Sequence, residues 1–317
     1  MDIQWYPGHM TKTRRMMEEN LALVDVVVEI LDARLPYSSK NPDIDALAKQ
    51  KKRILILNKC DLAQQSVTQQ WKEYYIAQGF SVLETECSTG KGVKQVTETA
   101  RQLMKEKLET QKSRGRLFRP IRAMIVGIPN VGKSTFINQY VGKATAKTGD
   151  KPGVTRGKQW IKVKNDFELL DTPGILWPKF EDETAGLLLA FTGAINDEIL
   201  DSQTLAARFL DWAMQWYPAS LLERYGLAMP EEASSEARGF ALLEEVAIKR
   251  GMKGRGGSAD ILRASKVVLD EFRGGKLGRM TLETPQQIPD RMAQAAQKEK
   301  DKAKQKDQRK KQYRARQ

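Results

Sequence analysis

Residues 127–134 have the sequence GIPNVGKS, and they indicate the class of fold more directly than any other segment. It fits the pattern G-x-x-x-x-G-K-[ST] at every fixed position, follows the apolar run at 123–126 and precedes a helical segment expected over 135–141. In that setting, backbone N–H groups turn toward phosphate oxygens and the helix start adds its positive dipole end. The stretch predicts a phosphate loop in which Lys133 reaches the outer phosphates and Ser134 binds Mg²⁺. The alternative is a plain glycine turn between a strand and a helix.

Short apolar runs alternate with helical stretches on both sides of this loop. Besides 123–126, they cover residues 24–31, 54–57, 80–85, 160–163 and 167–170. Nearly continuous apolar runs favour a parallel sheet that helices cover on both faces. Ligands of such sheets bind beyond the carboxyl ends of the strands, and several of these runs end in a polar motif.

Residues 58–61, NKCD, follow one run and predict the choice of base. The Asp61 carboxylate can accept hydrogen bonds from guanine N1–H and the exocyclic amine, whereas adenine has no donor at N1. Sites that would leave a buried polar group unpaired reject the wrong ligand by about 10⁴ or more. Lys59 is expected along the base plane, and the segment 86–88, ECS, is expected to bring backbone N–H groups to the guanine oxygen. The predicted nucleotide-binding residues are Asn58, Lys59, Asp61, Cys87, Ser88, Asn130, Val131, Gly132, Lys133, Ser134, Thr135 and Gly174.

The tetrapeptide DTPG at 171–174 stands at another strand end. Asp171 is expected to hold Mg²⁺ through water, and the Gly174 amide is expected to sense the γ-phosphate. A threonine hydroxyl is needed as a second ligand of Mg²⁺, and Thr155 is the predicted one. The alternatives for this role are two nearby threonines, Thr148 and Thr145.

The order of these motifs is unusual, because the base-reading segments end by residue 88 and the phosphate loop starts only at 127. A permuted chain builds the same site if its strands keep their neighbours while the termini move. The segment 113–116, SRGR, is the predicted linker between what are otherwise the two ends of one domain.

Bulk composition predicts a soluble globular protein of one large or two modest domains. The chain has 317 residues, of which 40% are hydrophobic and 29% charged, and two cysteines, Cys60 and Cys87. Two cysteines are too few for a disulfide framework and favour a reducing, cytoplasmic setting. No apolar run approaches the roughly 20 residues that cross a bilayer, and residues 1–5 do not begin a signal peptide, so no membrane partner is expected.

The pattern changes after residue 178, where the segments 183–224 and 235–250 have helical periods and no strand runs. One apolar stripe within them is expected to be ordinary helix core, and it consists of Leu205, Phe209, Trp212 and Trp216. A loop rich in glycine and basic residues follows at 250–257. Lys253 and Arg255 are expected near a phosphate backbone, the alternative being a flexible connector.

The formal charge of +13 is concentrated near the end of the chain. Residues 297–317 hold ten basic and three acidic side chains. This balance favours an anionic partner such as RNA, the alternative being a solvated tail that aids solubility. Beyond Thr284 the chain is low in complexity and is expected to be disordered or a loose helix.

Together these motifs resemble the YlqF/YawG family of circularly permuted GTPases. The resemblance also rests on WYPGHM at 5–10, DAR at 32–34 and the helical C-terminal half. It implies an α/β, circularly permuted P-loop GTPase domain with a mostly parallel sheet, followed by a smaller all-helical domain. The implied boundaries are 1–177 for the GTPase domain, 178–283 for a helical RNA- or ribosome-binding domain and 284–317 for a basic tail.

The resemblance further implies a role in late maturation of the large ribosomal subunit, with rRNA as partner and hydrolysis stimulated by that particle. Ile175 stands where many GTPases place a water-orienting glutamine, and the resemblance offers His9 instead, the alternative being a structural histidine. Asn130 matches an asparagine linked to K⁺ binding in related GTPases, the alternative being a turn residue. The catalytic residues predicted are His9, Lys133, Thr155 and Gly174.

Two other functions remain open at this point. One is an RNA-binding assembly factor that uses GTP as a structural ligand with little catalytic role. The other is a P-loop kinase, against which the guanine-reading motif argues. A monomer is the default expectation for the oligomeric state.

Overall fold

The structure is a computed structural model, and it describes residues 10–114, 119–142, 159–164, 166–171, 182–197, 200–230 and 234–314. Six strands form its sheet: β1 (Val26–Asp32), β2 (Lys52–Asn58), β3 (Ser81–Thr85), β4 (Ile121–Val126), β5 (Gln159–Lys164) and β6 (Phe167–Asp171). Each predicted apolar run lies on one of these strands. The sheet order is β3-β2-β1-β4-β6-β5, with only β5 antiparallel to its neighbour.

The strand order confirms the predicted permutation of the chain. Strand β4, which leads into the phosphate loop, pairs in parallel with β1, and Val26 lies opposite Ala123. Strands β2 and β3, which lead into the base-reading segments, lie on the far side of β1. The carboxyl ends of the parallel strands therefore meet at one edge of the sheet, although the base-reading half comes first in the chain.

Eleven α-helices lie in the described part of the chain. Those of the first half are α1 (Met10–Leu21), α2 (Pro42–Leu47), α3 (Gln65–Ala77), α4 (Gln95–Ser113) and α5 (Lys133–Val141). The others are α6 (Glu183–Phe191), α7 (Ser202–Trp216), α8 (Pro218–Tyr225), α9 (Ser235–Lys249), α10 (Ile261–Arg273) and α11 (Ile288–Arg314). No helix among the described residues combines the length and the apolar character that a membrane span requires.

Helices cover both faces of the sheet, as the continuous apolar runs predict. All seven side chains of β1 are buried. One face packs against Met17 and Leu21 of α1, and the other packs against Val96 of α4 and Phe136 of α5. Burial on both faces favours β-branched residues and explains why β1 contains three successive valines.

The helical half packs on the permuted domain through backbone hydrogen bonds as well as side chains. The Leu282 N–H donates to the Arg34 carbonyl at 2.7 Å, and the Met280 N–H donates to the Leu62 carbonyl at 3.0 Å. Within this half, α7 is central, and the Phe209 and Phe272 rings lie 4.5 Å apart. The division into three domains stays a prediction.

One expectation for this half was wrong. Leu205 and Phe209 are fully buried, but Trp212 is half-buried and Trp216 is 61% exposed. Trp216 is the last residue of α7, so the core-facing stripe ends before it. Periodicity alone does not show where a helix stops being covered.

The segment beyond Thr284, expected to be disordered or a loose helix, forms α11 over 27 residues. Its start is part of the packed structure, because Ile288 is buried in the cluster that contains Trp71 and Tyr75. The Arg291 guanidinium donates to Asp182 at 2.8 Å and to Glu283 at 2.5 Å. The first turn of α11 therefore packs on the remainder of the molecule.

Candidate guanine nucleotide site

The phosphate loop lies between β4 and α5, and its two special backbone conformations shape it. Asn130 adopts a left-handed φ of 61°, and Gly132 has φ 96°. A Cβ atom at position 132 would clash with the Asn58 amide nitrogen, so the base-reading segment approaches the loop too closely for any side chain there. The first turn of α5 starts at Lys133, which directs its N-terminal N–H groups toward the loop.

Asn58 joins the base-reading segment to the phosphate loop. Its Nδ2 donates to the Val131 carbonyl at 2.7 Å across a separation of 73 residues. Its Oδ1 accepts hydrogen bonds from the Cys87 N–H and the Thr85 hydroxyl, both at 3.1 Å. One buried amide thus links the carboxyl ends of β2 and β3 with the loop after β4.

Lys59 makes a second connection between the two motifs. Its Nζ donates to the Asn130 carbonyl at 2.7 Å and to Asp32 Oδ2 at 3.0 Å. The residue itself adopts φ 62°, which turns the chain sharply after β2. Asp61 follows Lys59 by two residues, and its negative charge acts on the Lys59 ammonium.

Asp32 and Arg34 are site residues whose role the motif analysis missed. Asp32 Oδ1 accepts from the Arg34 Nε and backbone N–H, both at 3.0 Å, and Oδ2 accepts from Arg34 Nη2 at 2.7 Å. Burial alone raises the pKa of Asp32, but the Arg34 guanidinium and the Lys59 ammonium outweigh it, so the pKa lies well below its ordinary value. Asp32 is therefore a fixed negative charge that holds Lys59. In the sequence, the position of Asp32 at the end of a buried strand was the feature that could have indicated its role.

Lys133 is buried at the start of α5. Its Nζ donates to the carbonyls of Gly127 at 3.0 Å and Ile128 at 2.8 Å. Burial lowers the pKa of Lys133 to about 8, and the negative charge of Asp171 partly offsets this effect. A buried ammonium ion beside two carbonyl oxygens favours an anion in the loop, because an anion offsets the lost solvation.

The oxygen ligands suited to Mg²⁺ come from two neighbouring segments. Asp171 ends β6 and is buried, and it pairs in register with Ile125 on β4. Ser134 follows Lys133 in the first turn of α5. Strand β6 pairs with β4, which leads into the phosphate loop and α5, so the two segments are neighbours at this edge of the sheet. Carboxylate and hydroxyl oxygens are the ligands that Mg²⁺ prefers, so these residues fit that ion.

The loop after β3 is held against α5 at the border of the site. Gln139 Nε2 donates to the Ser88 carbonyl at 3.3 Å, and Cys87 is buried. Burial raises the pKa of the Cys87 thiol to about 12, so this side chain is an uncharged thiol at neutral pH. Thr135 is half-buried on the next position of α5 after Ser134.

Several predicted site residues lie outside the described residues. They are His9, Thr155, Gly174, the alternatives Thr145 and Thr148, and Ile175. The described residues bring together the base-reading segments, the phosphate loop and Asp171. These contacts link segments that are far apart in the chain and close at one edge of the sheet.

Comparison with known proteins agrees with this arrangement. Residues 122–208 match the family described as 50S ribosome-binding GTPase. The chain is 48% identical over 289 residues to ribosome biogenesis GTPase A of Bacillus cereus, covering 91% of this chain and 96% of that protein. It is 34% identical to the protein of that name from Thermotoga maritima, covering 90% of this chain and 96% of the other.

Two solved structures share the fold. The GDP-bound structure of TM YlqF superposes with a TM-score of 0.60 at 31% identity, covering 86% of this chain and all of that one. GNP-bound YlqF from T. maritima superposes with a TM-score of 0.58 at 30% identity, covering 86% of this chain and 98% of that one.

Proposed function

Because the chain belongs to the family of ribosome biogenesis GTPase A, among the circularly permuted YlqF GTPases, it is a GTP hydrolase of ribosome biogenesis, and we propose that it acts in late assembly of the large subunit. In this proposal it binds the precursor particle in the GTP state and hydrolyses GTP to GDP and phosphate there. The observation that carries the proposal is the pair of contacts, Asn58 to Val131 and Lys59 to Asn130, that joins base reader and phosphate loop.

In this proposal the base-reading segment binds one end of the nucleotide and the phosphate loop binds the other. Asp61 accepts the guanine N–H donors, while Lys59, held by Asp32, lies along the base. The backbone N–H groups of residues 127–133 surround the phosphates, and Lys133 exchanges its carbonyl partners for phosphate oxygens. These contacts make the free energy of binding most favourable for an anionic ligand that carries guanine.

The hydrolytic step uses the residues at the phosphate end. Ser134, Thr155 and Asp171 would hold Mg²⁺, which neutralises charge on the phosphate oxygens when it is bound. Gly174 senses the γ-phosphate and His9 positions the attacking water. Asn130 would bind K⁺, which supplies the positive charge that other GTPases take from an arginine. These assignments follow from the family resemblance and the motif positions.

The helical domain at 178–283 and the basic tail at 284–317 provide the RNA-binding surface in this proposal. The tail contains an excess of basic side chains, which suits rRNA phosphates. GTP orders the segments around Thr155 and Gly174, the protein docks on the particle, and RNA contact completes the catalytic arrangement. The protein works as a monomer in the cytoplasm and leaves after hydrolysis.

The test is cosedimentation of the full chain with large-subunit precursors, in GDP and in a non-hydrolysable GTP analogue. We expect stronger binding with the analogue, together with faster GTP turnover when particles are added. Small-subunit precursors serve as the matched control particle. Equal binding in both nucleotides, or turnover that particles do not change, would contradict the proposal. Loss of stimulation in His9→Ala, with unchanged GDP affinity, supports the role of His9.

A further inference from the structure

The helical half of the molecule contacts the phosphate loop directly. Asn130 Nδ2 donates to the Gly193 carbonyl at 2.5 Å. Gly193 follows the end of α6 and adopts φ 73°, the left-handed conformation common at helix C-termini. The orientation of the Asn130 amide therefore depends on where the turn after α6 is held.

Arg273, the last residue of α10, holds that turn. Its Nε donates to the Phe191 carbonyl at 2.9 Å and its Nη2 donates to the Ala190 carbonyl at 3.0 Å, which satisfies carbonyls at the C-terminus of α6. Its guanidinium also pairs with both carboxylate oxygens of Asp197, at 2.5 and 2.8 Å. A Cβ at Gly193 would lie only 3.2 Å from Arg273 Cζ, so the guanidinium packs against the glycine backbone.

The neighbouring residue on α10 reaches the other end of the same site. The Arg34 guanidinium lies over the Phe272 ring, 5.1 Å from its centroid. Arg34 pairs with Asp32, and Asp32 accepts from Lys59, whose ammonium also donates to the Asn130 carbonyl. The last turn of α10 thus connects to Asn130 by two routes. Phe272 leads through Arg34, Asp32 and Lys59 to the Asn130 carbonyl, and Arg273 leads through Gly193 to the Asn130 side-chain amide.

From these contacts we infer that Arg273 is a positioning residue for GTP hydrolysis, acting on the phosphate loop through Gly193 and Asn130. Within the described residues its guanidinium bonds to the end of α6 and to Asp197, so its effect on the phosphate loop passes through the turn after α6. The inference rests on the proposed function in that Asn130 must lie at the bound phosphates. The inference adds to that function a route by which a shift of α10 within the helical half changes the position of Asn130 in the phosphate loop.

Hydrogen exchange of the full chain, saturated with GDP, tests whether Arg273 positions the phosphate loop, and it needs no assay of activity. We expect Arg273→Ala to speed exchange of the amides in residues 127–133 by about threefold to tenfold, the equivalent of one lost hydrogen bond. Amides of β1 should exchange at the wild-type rate. The matched control is Arg263→Ala, an exposed arginine on the same helix, which should leave both segments unchanged. Wild-type exchange at 127–133 in Arg273→Ala would overturn the inference.

A milder variant covers the case in which Arg273→Ala does not fold. Asp197→Asn removes one charged partner of Arg273 and leaves the guanidinium in place, and Asp197 is exposed. We expect it to speed exchange at 127–133 by a smaller factor than Arg273→Ala, in the same segment. Exchange that rises equally throughout the chain would indicate general destabilisation and would overturn the inference.

A double-mutant cycle on GTP turnover tests the route through Asn130. We expect Arg273→Ala to lower kcat by about threefold to tenfold while KM changes less than about twofold. In an Asn130→Ala background, Arg273→Ala should cost nothing more, because the contact that it orients is gone. If Arg273→Ala lowers kcat equally in the wild-type and Asn130→Ala backgrounds, its effect does not pass through Asn130 and the inferred route is wrong.

Failure of the proposed function gives a different result. If particles do not stimulate turnover, or if K⁺ does not exceed Na⁺ in supporting it, the proposed particle or K⁺ role fails. The exchange rates at 127–133 still decide the role of Arg273, because they require neither RNA nor K⁺.

Discussion

The side chain of Asn58 joins segments of the site that are far apart in the permuted chain. Its amide donates to one segment and accepts from another, and the residue is 2% exposed. An aspartate at this position would keep the acceptor but lose the donor to the Val131 carbonyl. The chemistry of an amide, rather than its size alone, explains the asparagine in this motif.

We predict that Asn58→Ala lowers the free energy of unfolding by about 2 kcal/mol, because it leaves buried backbone groups unpaired. The affinity for GDP should fall by about tenfold or more, since one hydrogen bond that aligns the two motifs is lost. Urea unfolding and titration with fluorescent GDP measure the two effects. Gln69→Ala, which removes an exposed amide from α3, is the control and should change neither. Unchanged GDP affinity in Asn58→Ala would show that the motifs align without it.

The residues that sequence could predict are those at strand ends, where chemistry and local pattern coincide. Asn58 and Lys59 belong to the four-residue stretch 58–61, and Lys133 belongs to the eight-residue stretch 127–134. The contacts of Arg273 with the turn after α6 could not be predicted, because they join helices 76 to 83 residues apart. Such contacts depend on how the helices pack, and helix packing cannot be predicted from a local sequence pattern.

At the scale of elements, the six strands were predictable and the direction of one was not. Continuous apolar runs at 160–163 and 167–170 marked β5 and β6, but burial on a sheet is the same for either strand direction. The short connection between them, with β5 ending at Lys164 and β6 beginning at Phe167, is what requires an antiparallel pair. Connection length would have been the better guide.

Helices α7 and α9 pack at a glycine, which makes their contact sensitive to a single methyl group. A Cβ at Gly239 would clash with the Ala207 carbonyl on α7. Alanine is favoured over glycine in a helix interior by about 1 kcal/mol, so helix propensity and packing oppose each other at this position.

We predict that packing prevails and that Gly239→Ala lowers the free energy of unfolding by about 1–3 kcal/mol. Urea unfolding measures the change. Gly254→Ala is the matched control, since its added Cβ would meet its nearest neighbours only at 3.7 Å. An increase in stability for Gly239→Ala would mean that α9 moves away from α7 at little cost.

At the scale of the whole molecule, the basic tail and the packed structure overlap. Helix α11 starts with Ile288 buried and Arg291 paired to Asp182 and Glu283. Lys298 pairs with Glu183 at the start of α6. The strongly basic part comes after this pair, with nine basic and three acidic side chains in residues 299–317.

We therefore predict different results for two truncations of the tail. Removal of residues 299–317 should keep the unfolding free energy and make the binding of rRNA less dependent on salt, because fewer phosphates release counterions. Removal of residues 285–317 should also lower the unfolding free energy, because Ile288 and Arg291 are lost. Filter binding at several salt concentrations and urea unfolding measure these effects. An unchanged salt dependence after the shorter truncation would exclude the tail from RNA contact.

The central place of β1 has a consequence for synthesis of the protein. Residues of β1, β2 and β3 leave the ribosome before β4 exists, so the β4-facing edge of β1 is first exposed without a partner. That edge belongs to a strand with three successive valines, and an open apolar edge invites pairing with other chains. Until residue 126 emerges, this edge of β1 is open to pairing with other chains, so the hazard of aggregation falls early in translation.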